Sequence, residues 1–400
     1  MNIIARIFDA INQKGADIDA WIEEKQSALQ PIFYNSIDIR YSGHKIAPVD
    51  FNFFPAGFNN IGIKSQVRAA AEIRKFLEHQ YPDAKKILLI SENYTRNLKY
   101  LDNIHTLAKL ITEAGYEARC GAVGQSQSKI LKLKNGGTIK IGSLIKEDST
   151  IKTTRGFTPD VIIMNSDMTQ GMPETLRNIK QPITPPTKLG WFQRSKSTYF
   201  AMYDLVLQDF CLMHELDPWL LSAIFHECPN VSFKEKQGIE QVADIAEKTI
   251  EQIKERYRQH QIKSEPYVFI KPNNGTYGMG IMTANSGEEI MAINKKIRNK
   301  MHKIKANITV DSVIIQEGIP TIDRIGKAPA ELVSCLINNE LVSCLYRAND
   351  RRDKFANLNS LSATLQKADN LTTEQIKALR LISKIAVLAA AKEMQIYLNS

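Results

Sequence analysis

Tyr267-Val-Phe-Ile-Lys-Pro-Asn-Asn-Gly-Thr-Tyr-Gly-Met-Gly-Ile-Met-Thr283 sets a lysine at the end of an apolar run, with Gly275, Gly278 and Gly280 close behind. Glycines let backbone N–H groups approach phosphate oxygens, and Lys271 supplies a fixed positive charge. The chemistry this suits is a grip on a polyphosphate, made by a hairpin whose tip closes over it. The plain alternative is a mobile glycine hairpin with a surface lysine. The stretch is not a Walker loop, because the Gly-Lys-Ser/Thr ending is absent. A second apolar run follows from Ile281, where that loop or a Rossmann fingerprint would open a helix.

Downstream, Asp311-Ser-Val-Ile-Ile-Gln-Glu-Gly-Ile319 reads as a buried strand ending in Gln316-Glu317-Gly318. Three further segments carry more fixed polar chemistry than a connecting loop requires. Arg40 to Asn60 sets Arg40, Lys45, Asp50, Asn52, Asn59 and Asn60 among aromatics, prolines and Gly57. Read as a pocket, its cations receive carboxylates, Asp50 receives an ammonium and the asparagines serve either. Read structurally, it is a solvated coil stiffened by its phenylalanines. In Gly190 to Phe200, Arg194 and Lys196 stand at a helix start, where a cation opposes the macrodipole and favours an anionic partner such as phosphate. Arg347 to Ala363 presents Arg347, Asp350, Asp353, Asn357 and Asn359.

These side chains need elements to position them. Ser65 to Gln80 has helical periodicity, with Val67, Ala70, Ile73 and Leu77 on one face, and Asn97 to Ala114 is a second amphipathic helix ending at Gly115. Lys85–Ser91, Tyr116–Val123 and Asp160–Asn165 are strands. The alternation predicts an α/β unit, a mostly parallel sheet with helices on both faces and ligands beyond the strand C-termini. Two polar loops stand there: Ser91 to Asn97, and Asn165-Ser166-Asp167 with Gly171 and Pro173. Residues 1–30 read as one or two amphipathic helices.

Gln181-Pro-Ile-Thr-Pro-Pro-Thr187 is a stiff connection. The expected division is 1–185 as an N-terminal α/β domain, 186–265 as a helical linking region and 266–400 as a nucleotide-binding domain. Within the second region, a helical stretch from Lys196 to Glu227 breaks at Asp217-Pro218, and Gly238 to Gln259 is another helix. Beyond Ile319, Glu331–Ile337 and Leu341–Tyr346 form a hairpin turning at Asn338-Asn339-Glu340. The last helix opens on the capping-box spacing of Thr372 and Gln375.

At 400 residues, 43% hydrophobic and 24% charged, the chain is globular and long enough for two or three domains. Arg6, Asp9 and Lys14 interrupt any signal-peptide core. The longest apolar tract, Leu379 to Ala391, is short and broken by Arg380 and Lys384, so no membrane span is expected. Five cysteines without a CxxC fit a reducing cytoplasm. The net charge of +9 is densest at Lys295, Lys296, Arg298, Lys300, Lys303 and Lys305, in a helix expected from Glu288. Ile290, Ile293, Ile297 and Met301 recur there at helical spacing, which makes the lysines a solvated outer face. No interleaved aromatics or nucleic-acid motif accompany them. The expected partners are therefore small anionic molecules, with neither nucleic acid nor membrane among them.

Strand, lysine, glycine loop, helix and a strand ending in Gln-Glu resemble the nucleotide site of ATP-grasp enzymes. Pro48-Val-Asp50, Phe54-Pro-Ala-Gly-Phe-Asn-Asn60, Asn165-Ser-Asp167, Gly190-Trp191, Arg194-Ser-Lys-Ser197 and Phe269 to Gly280 narrow this. Together they resemble the proteobacterial glutamate–cysteine ligases of ATP-grasp type, over nearly the whole chain. The resemblance implies an ATP-grasp fold with an N-terminal Rossmann-like, parallel-sheet pre-ATP-grasp domain. It implies ATP-dependent formation of γ-glutamylcysteine from glutamate and cysteine through an acyl phosphate, the first step towards glutathione.

Lys271, Lys196 and Arg347 would then face the phosphoryl group. Nucleotide contacts would come from Lys196, Lys271, Gly275, Gly278, Gly280 and the hinge Gln316, Glu317 and Gly318. Substrate contacts would come from Arg40, Lys45, Asp50, Asn52, Asn59, Asn60, Asn165 and Arg194. ATP brings a need for Mg²⁺ or Mn²⁺. Many ATP-grasp enzymes carry a metal-binding acid and a Glu-x-Asn motif on strands after the last helix. This sequence stops at Ser400, just past that helix, so Glu331, Asn357 and Asn359 are the expected metal ligands. Another carboxylate–amine ligase such as a glutathione synthetase shares these features, because no residue distinguishes free cysteine from glycine as acceptor. A nucleotide-sensing or RNA-binding protein on the same fold is the non-enzyme alternative. A homo-oligomer is left open.

Overall fold

A computed structural model describes residues 3–93, 97–275, 278–302, 308–360 and 362–399. The first helix, α1 (Ile3–Ser27), leaves helical geometry at Lys14, so it is two amphipathic pieces merged across a kink. β1 (Tyr34–Tyr41) and β2 (Ile46–Asn52) follow as an antiparallel hairpin with a bulge after Asp38. Nine of the 21 residues from Arg40 to Asn60 are therefore strand, not coil. α2 (Ile63–Gln80) buries Ala69, Ala70, Ile73, Phe76 and Leu77, whereas Val67, expected on that face, is 68% exposed.

β3 (Lys86–Ser91), α3 (Leu98–Glu113) and β4 (Glu117–Ala122) match the expected alternation. Next comes a meander that the sequence does not announce: β5 (Lys129–Lys132), β6 (Thr138–Glu147) and β7 (Thr150–Thr153). Its β5 strand has no buried residue, so the alternation that marks a half-buried strand is missing. β8 (Val161–Asn165) and β9 (Ile183–Thr184) complete the sheet, ordered β5-β6-β4-β3-β8-β9 with β7 on β6. From β6 to β9 its strands are parallel. α2 and α3 cover one face. The other face, with Leu88, Ile90, Ile162 and Met164, packs on Ile151, Met168 and Leu176 and, among the described residues, carries a single 3₁₀ turn at Glu174–Leu176 and no α-helix. Gly171, Pro173 and Pro182 break up the chain that crosses it, which corrects the expectation of helices on both faces.

α4 (Lys196–His214) ends earlier than expected, at a left-handed Glu215, and β10 (Phe225–Pro229) is a strand where helix was expected. α5 (Ile239–Gln259), β11 (Val268–Pro272) and β12 (Met282–Ala284) follow. The single basic helix is two short ones, α6 (Gly287–Met291) and α7 (Lys295–His302). The Asn294 side chain accepts from the Ile297 N–H and starts the second; Lys303 and Lys305 lie outside the described residues. With β13 (Ser312–Glu317) the antiparallel sheet β10-β13-β11-β12 is complete.

β14 (Arg324–Ile325), β15 (Ala328–Ile337), β16 (Glu340–Ala348), β17 (Thr364–Lys367) and α8 (Thr373–Asn399) close the chain. Asn338 and Asn339 both take positive φ in the β15–β16 turn. Thr372 and Gln375 exchange backbone and side-chain hydrogen bonds as a capping box. β15 pairs with β1, giving the order β17-β16-β15-β1-β2, so residues 34–52 and 328–367 share one sheet. One face of it, with Ile37, Ile39, Leu332 and Leu336, packs on α8. The other face begins apolar at Tyr34, Cys335 and Ile337 beside α2, then turns charged at Asp38, Arg40, Glu331 and Arg347. No helix among the described residues is long and apolar enough to cross a membrane.

Candidate active site

The charged end of that sheet face looks across a small cavity at the glycine hairpin. Alternation along β11 turns Phe269 and Lys271 into the cavity, beside Gly275 and Gly278. The Lys271 Nζ donates to Gln316 Oε1 at 2.6 Å and to the Val49 carbonyl at 3.2 Å. Burial pushes this lysine down to about 8, against the pull of Asp50. Gln316 is buried, and its Nε2 donor has no partner among the described residues. An orphaned donor beside a buried cation fits an anionic or base-bearing ligand that completes both.

Lys196 opens α4 behind the Ser195 cap. Its Nζ meets Asp50 Oδ1 at 2.5 Å and lies 4.5 Å from the Trp191 ring centroid. Burial works against the Asp50 charge, but Lys196 and Lys271 outweigh it and hold the carboxyl below its usual range. Opposite, Arg347 clasps Asp38 at 2.5 and 3.1 Å and donates to Glu331 Oε1 at 2.8 Å. The other oxygen of Glu331 takes Arg40 Nε at 2.8 Å. Arg40 is held in turn by the carbonyls of Ile319 and Ala356. Burial opposes the Arg347 charge, yet Asp38 and Glu331 keep its guanidinium above the usual range.

The cavity holds only about 40 Å³, space for a water or an ion and far less than a nucleotide. Its roof is shut. Asn357 Nδ2 reaches the Gly278 carbonyl at 3.4 Å, and a Cβ on Gly278 would lie 2.3 Å from the Asn359 carbonyl oxygen. Gly278 and Gly280 both have positive φ, which makes glycine the residue for this tight return. On the far side of Arg347 a larger cleft, about 410 Å³, is lined by Ser36, Asn52, Asn59, Asn60 and Asp167.

The structure divides the residues singled out from sequence. Lys271, Lys196, Arg40, Asp50, Glu331, Asn357 and Asn359 meet at the small cavity, and Gly275 and Gly278 roof it. Asn52, Asn59 and Asn60 belong to the cleft, Asn359 lines both spaces, and Arg347 on the cleft wall bonds Asp38 and Glu331 of the cavity.

Others are placed elsewhere. Arg194 is buried with both ends of its fork on Glu393 at 2.8 and 3.1 Å, its Nη1 on the Phe51 carbonyl, boxed by Phe53 and Trp191. Lys45 is sealed on Glu317 beneath the Trp219 ring, and burial pushes it down to about 8. Glu317 also accepts from Trp219 Nε1 and the Ile224 N–H, so its side chain anchors the strand. Gly318 lies against Tyr267, where a Cβ would come within 2.3 Å of the ring. Asn165 donates to the Tyr34 hydroxyl and the Pro55 carbonyl, supporting the loop that carries Asn59 and Asn60 from below. In the 91–97 loop, residues 94–96 lie outside the described residues.

The expected metal ligands fit poorly. Both oxygens of Glu331 are taken by arginines, and Asn357 Oδ1 accepts from the Asn359 N–H. No cluster of three or more metal-ligating His, Cys, Asp or Glu exists among the described residues. Asp50 keeps one carboxylate oxygen without a hydrogen bond among the described residues and faces Asp38 across the β1–β2 ladder. Hard oxygens of this kind suit a divalent cation once Arg347, which holds both oxygens of Asp38 in this structure, lets go. Asp38 was absent from the residues singled out by sequence. The alternation of Ile37 and Ile39 with Asp38 and Arg40 is the signal that could have found it.

The family model described as glutamate-cysteine ligase matches residues 9–394. A solved structure from Methylobacillus flagellatus KT, provisionally named a gamma-glutamylcysteine synthetase, is similar with a TM-score of 0.92 and 30% identity, covering 99% of this chain and 96% of that one. D-alanyl-alanine synthetase A from Vibrio cholerae (TM-score 0.37, 10% identity, 79% and 81% covered) is too distant to bear on the argument. So is a glutathione synthetase-like effector from Globodera pallida (0.38, 12%, 86% and 77%). No curated protein matches the sequence.

Proposed function

The chain belongs to the glutamate–cysteine ligase family, and from that premise we propose that it joins the γ-carboxylate of L-glutamate to the amine of L-cysteine while ATP becomes ADP and phosphate. The observation that carries this is the pair of adjoining sites. One encloses Lys271, Lys196 and the glycine hairpin, the other is a polar cleft, and Arg347 on the cleft wall bonds Asp38 and Glu331 of the cavity wall. Phosphates belong in the first and amino acids in the second, so the phosphoryl group passes Arg347 on its way from one to the other.

A γ-carboxylate oxygen attacks the terminal phosphorus, the bond to ADP breaks, and an acyl phosphate forms. The cysteine amine then adds to the acyl carbon, and the departing phosphate carries off the proton that the amine gives up. Such a sequence asks the protein for alignment, exclusion of water and cations aimed at the moving charge. Lys271 and Lys196 supply charge from the hairpin and the α4 start, and Arg347 supplies a planar fork from the sheet. A divalent cation, with Mg²⁺ the ion we favour, neutralises phosphate charge when bound.

The shut roof makes opening of the hairpin a condition for nucleotide entry, and its closure then excludes water. Small molecules are the proposed partners. Cys120, Cys211, Cys228 and Cys335 are buried and, with Cys344, unpaired, which suits a reducing cytoplasm as the compartment.

The test is phosphate release from the pure protein with ATP, Mg²⁺ and single pairs of amino acids. Glutamate with cysteine should give the highest rate, and neither alone should release phosphate at a comparable rate. A rate that is highest with γ-glutamylcysteine and glycine would move the protein to the glutathione-synthetase reaction instead.

A further inference from the structure

We propose that Asp38 and Asp50, facing each other on the β1–β2 hairpin, hold the divalent cation that accompanies the nucleotide. The inference rests on the reading of the small cavity as a nucleotide site. Asp38 and Asp50 are direct partners in the antiparallel ladder, and Ser36 and Asn52 are the next pair on the same face. Directly opposed residues have Cβ atoms about 5 Å apart, so the two carboxylates can share one ion. The hairpin thus presents two carboxylates to the small cavity, oxygen donors of the kind hard cations take.

The charge arrangement supplies the reason for an ion there. Like charges directly opposed across a ladder are destabilising. In the closed structure each carboxylate has its own cation, with Arg347 on Asp38 and Lys196 on Asp50. Those cations, with Lys271, are also the ones a triphosphate recruits. When it draws them away, Asp38 and Asp50 face each other in a pocket poor in water, and a divalent cation restores the balance. Glu331 has no such freedom, because Arg40 stays fixed on it through the carbonyls of Ile319 and Ala356. Metal alone must compete with Lys196 and Arg347, so it binds weakly. Metal and nucleotide together bind tightly, and the coupling is reciprocal.

The test measures Mn²⁺ by paramagnetic resonance with and without the non-hydrolysable analogue β,γ-imido-ATP, while calorimetry follows the analogue itself. Wild-type protein should hold Mn²⁺ at least about tenfold more tightly when the analogue is present, beyond what the analogue binds alone. Asp50→Asn and Asp38→Asn should each weaken that complex about 10- to 100-fold, whereas Glu147→Gln, at an exposed carboxylate paired with Lys152 on β6, should leave it within about threefold, under 1 kcal/mol. Asp50→Cys, which does not depend on the asparagine variants folding, should turn the preference towards Cd²⁺ with a thiolate-to-cadmium absorption band absent from wild type. If wild type fails to bind the analogue, the nucleotide reading itself falls. If it binds the analogue while the Asp50 variants keep wild-type Mn²⁺ affinity and show no cadmium band, the nucleotide reading stands and the metal assignment is overturned.

Discussion

Two lysine–carboxylate pairs each take one member from residues 45–52, and they differ in exposure. Lys45 meets Glu317 at 2.6 Å with both side chains 1% exposed, and Lys196 meets Asp50 at 2.5 Å with Asp50 24% exposed to the cavity. The first pair is sealed under Trp219. The second opens on a space where an anion can take the lysine and a cation can take the aspartate. Arg194 with Glu393 belongs to the sealed kind, and Lys271, held by a neutral amide, to the open kind. Removing one partner of a sealed pair strands a charge and costs stability. Removing one member of an open set costs ligand affinity.

The largest effect should therefore fall on Arg194, a residue that sequence placed against substrate. Arg194→Ala leaves Glu393 buried and unpaired, and a broken buried pair typically costs about 3–5 kcal/mol. Chemical denaturation should show a loss of that order, with the KM for each amino acid near wild type in whatever remains folded. If the variant keeps its denaturation midpoint and instead loses glutamate, Arg194 touches substrate and the contrast between sealed and open pairs fails.

Lys271→Ala should give the opposite signature. A charge-assisted contact contributes roughly 1.5–3 kcal/mol, so ATP should bind about 10- to 150-fold more weakly and turnover should fall with it. The thermal midpoint without ligand should stay at or above that of wild type, because burial already works against the Lys271 charge. Unchanged ATP affinity would remove Lys271 from the nucleotide site.

Local chemistry was legible in the sequence where one stretch carried it whole. The β11–β12 hairpin, the β13 strand, the Asn338-Asn339 turn and the Thr372–Gln375 cap each depend on residues within a few positions. Side-chain direction was not legible. Arg40 and Lys45 lie five positions apart in one hairpin, yet one reaches the cavity wall and the other a sealed pocket. That outcome depends on β1 joining β15, residues nearly 300 positions away, through a ladder no local pattern announces. Asp38 is hidden in the same way, because its partners Asp50, Glu331 and Arg347 come from β2, β15 and β16. Arg194 shows the same limit. A cation at a helix start does want an anion, and here α8 supplies it from Glu393.

The finest distinction between the two kinds of pair is a proton. Lys271 and Lys45 are both pushed down to about 8 by burial, but only Lys271 faces the cavity. In the ligand-free protein both lose charge as pH rises through 8. For folding, a base depressed in the native state means that the unfolded chain binds more protons between about 8 and 10.4, so this contribution to stability rises with pH across that window. For binding the sign reverses. A bound polyphosphate favours the charged lysine and lifts its pKa, so nucleotide binding above pH 8 takes up a proton, and affinity falls by at most about tenfold per pH unit. Calorimetry near pH 9 in two buffers of different ionisation enthalpy should show uptake approaching one proton per nucleotide in wild type. Lys271→Arg should retain binding and lose the uptake, because a guanidinium stays charged throughout. Lys45→Met should keep the uptake, since a sealed lysine does not sense the cavity. Uptake that survives in Lys271→Arg and vanishes in Lys45→Met would place the responsive proton in the sealed pair and invert the comparison.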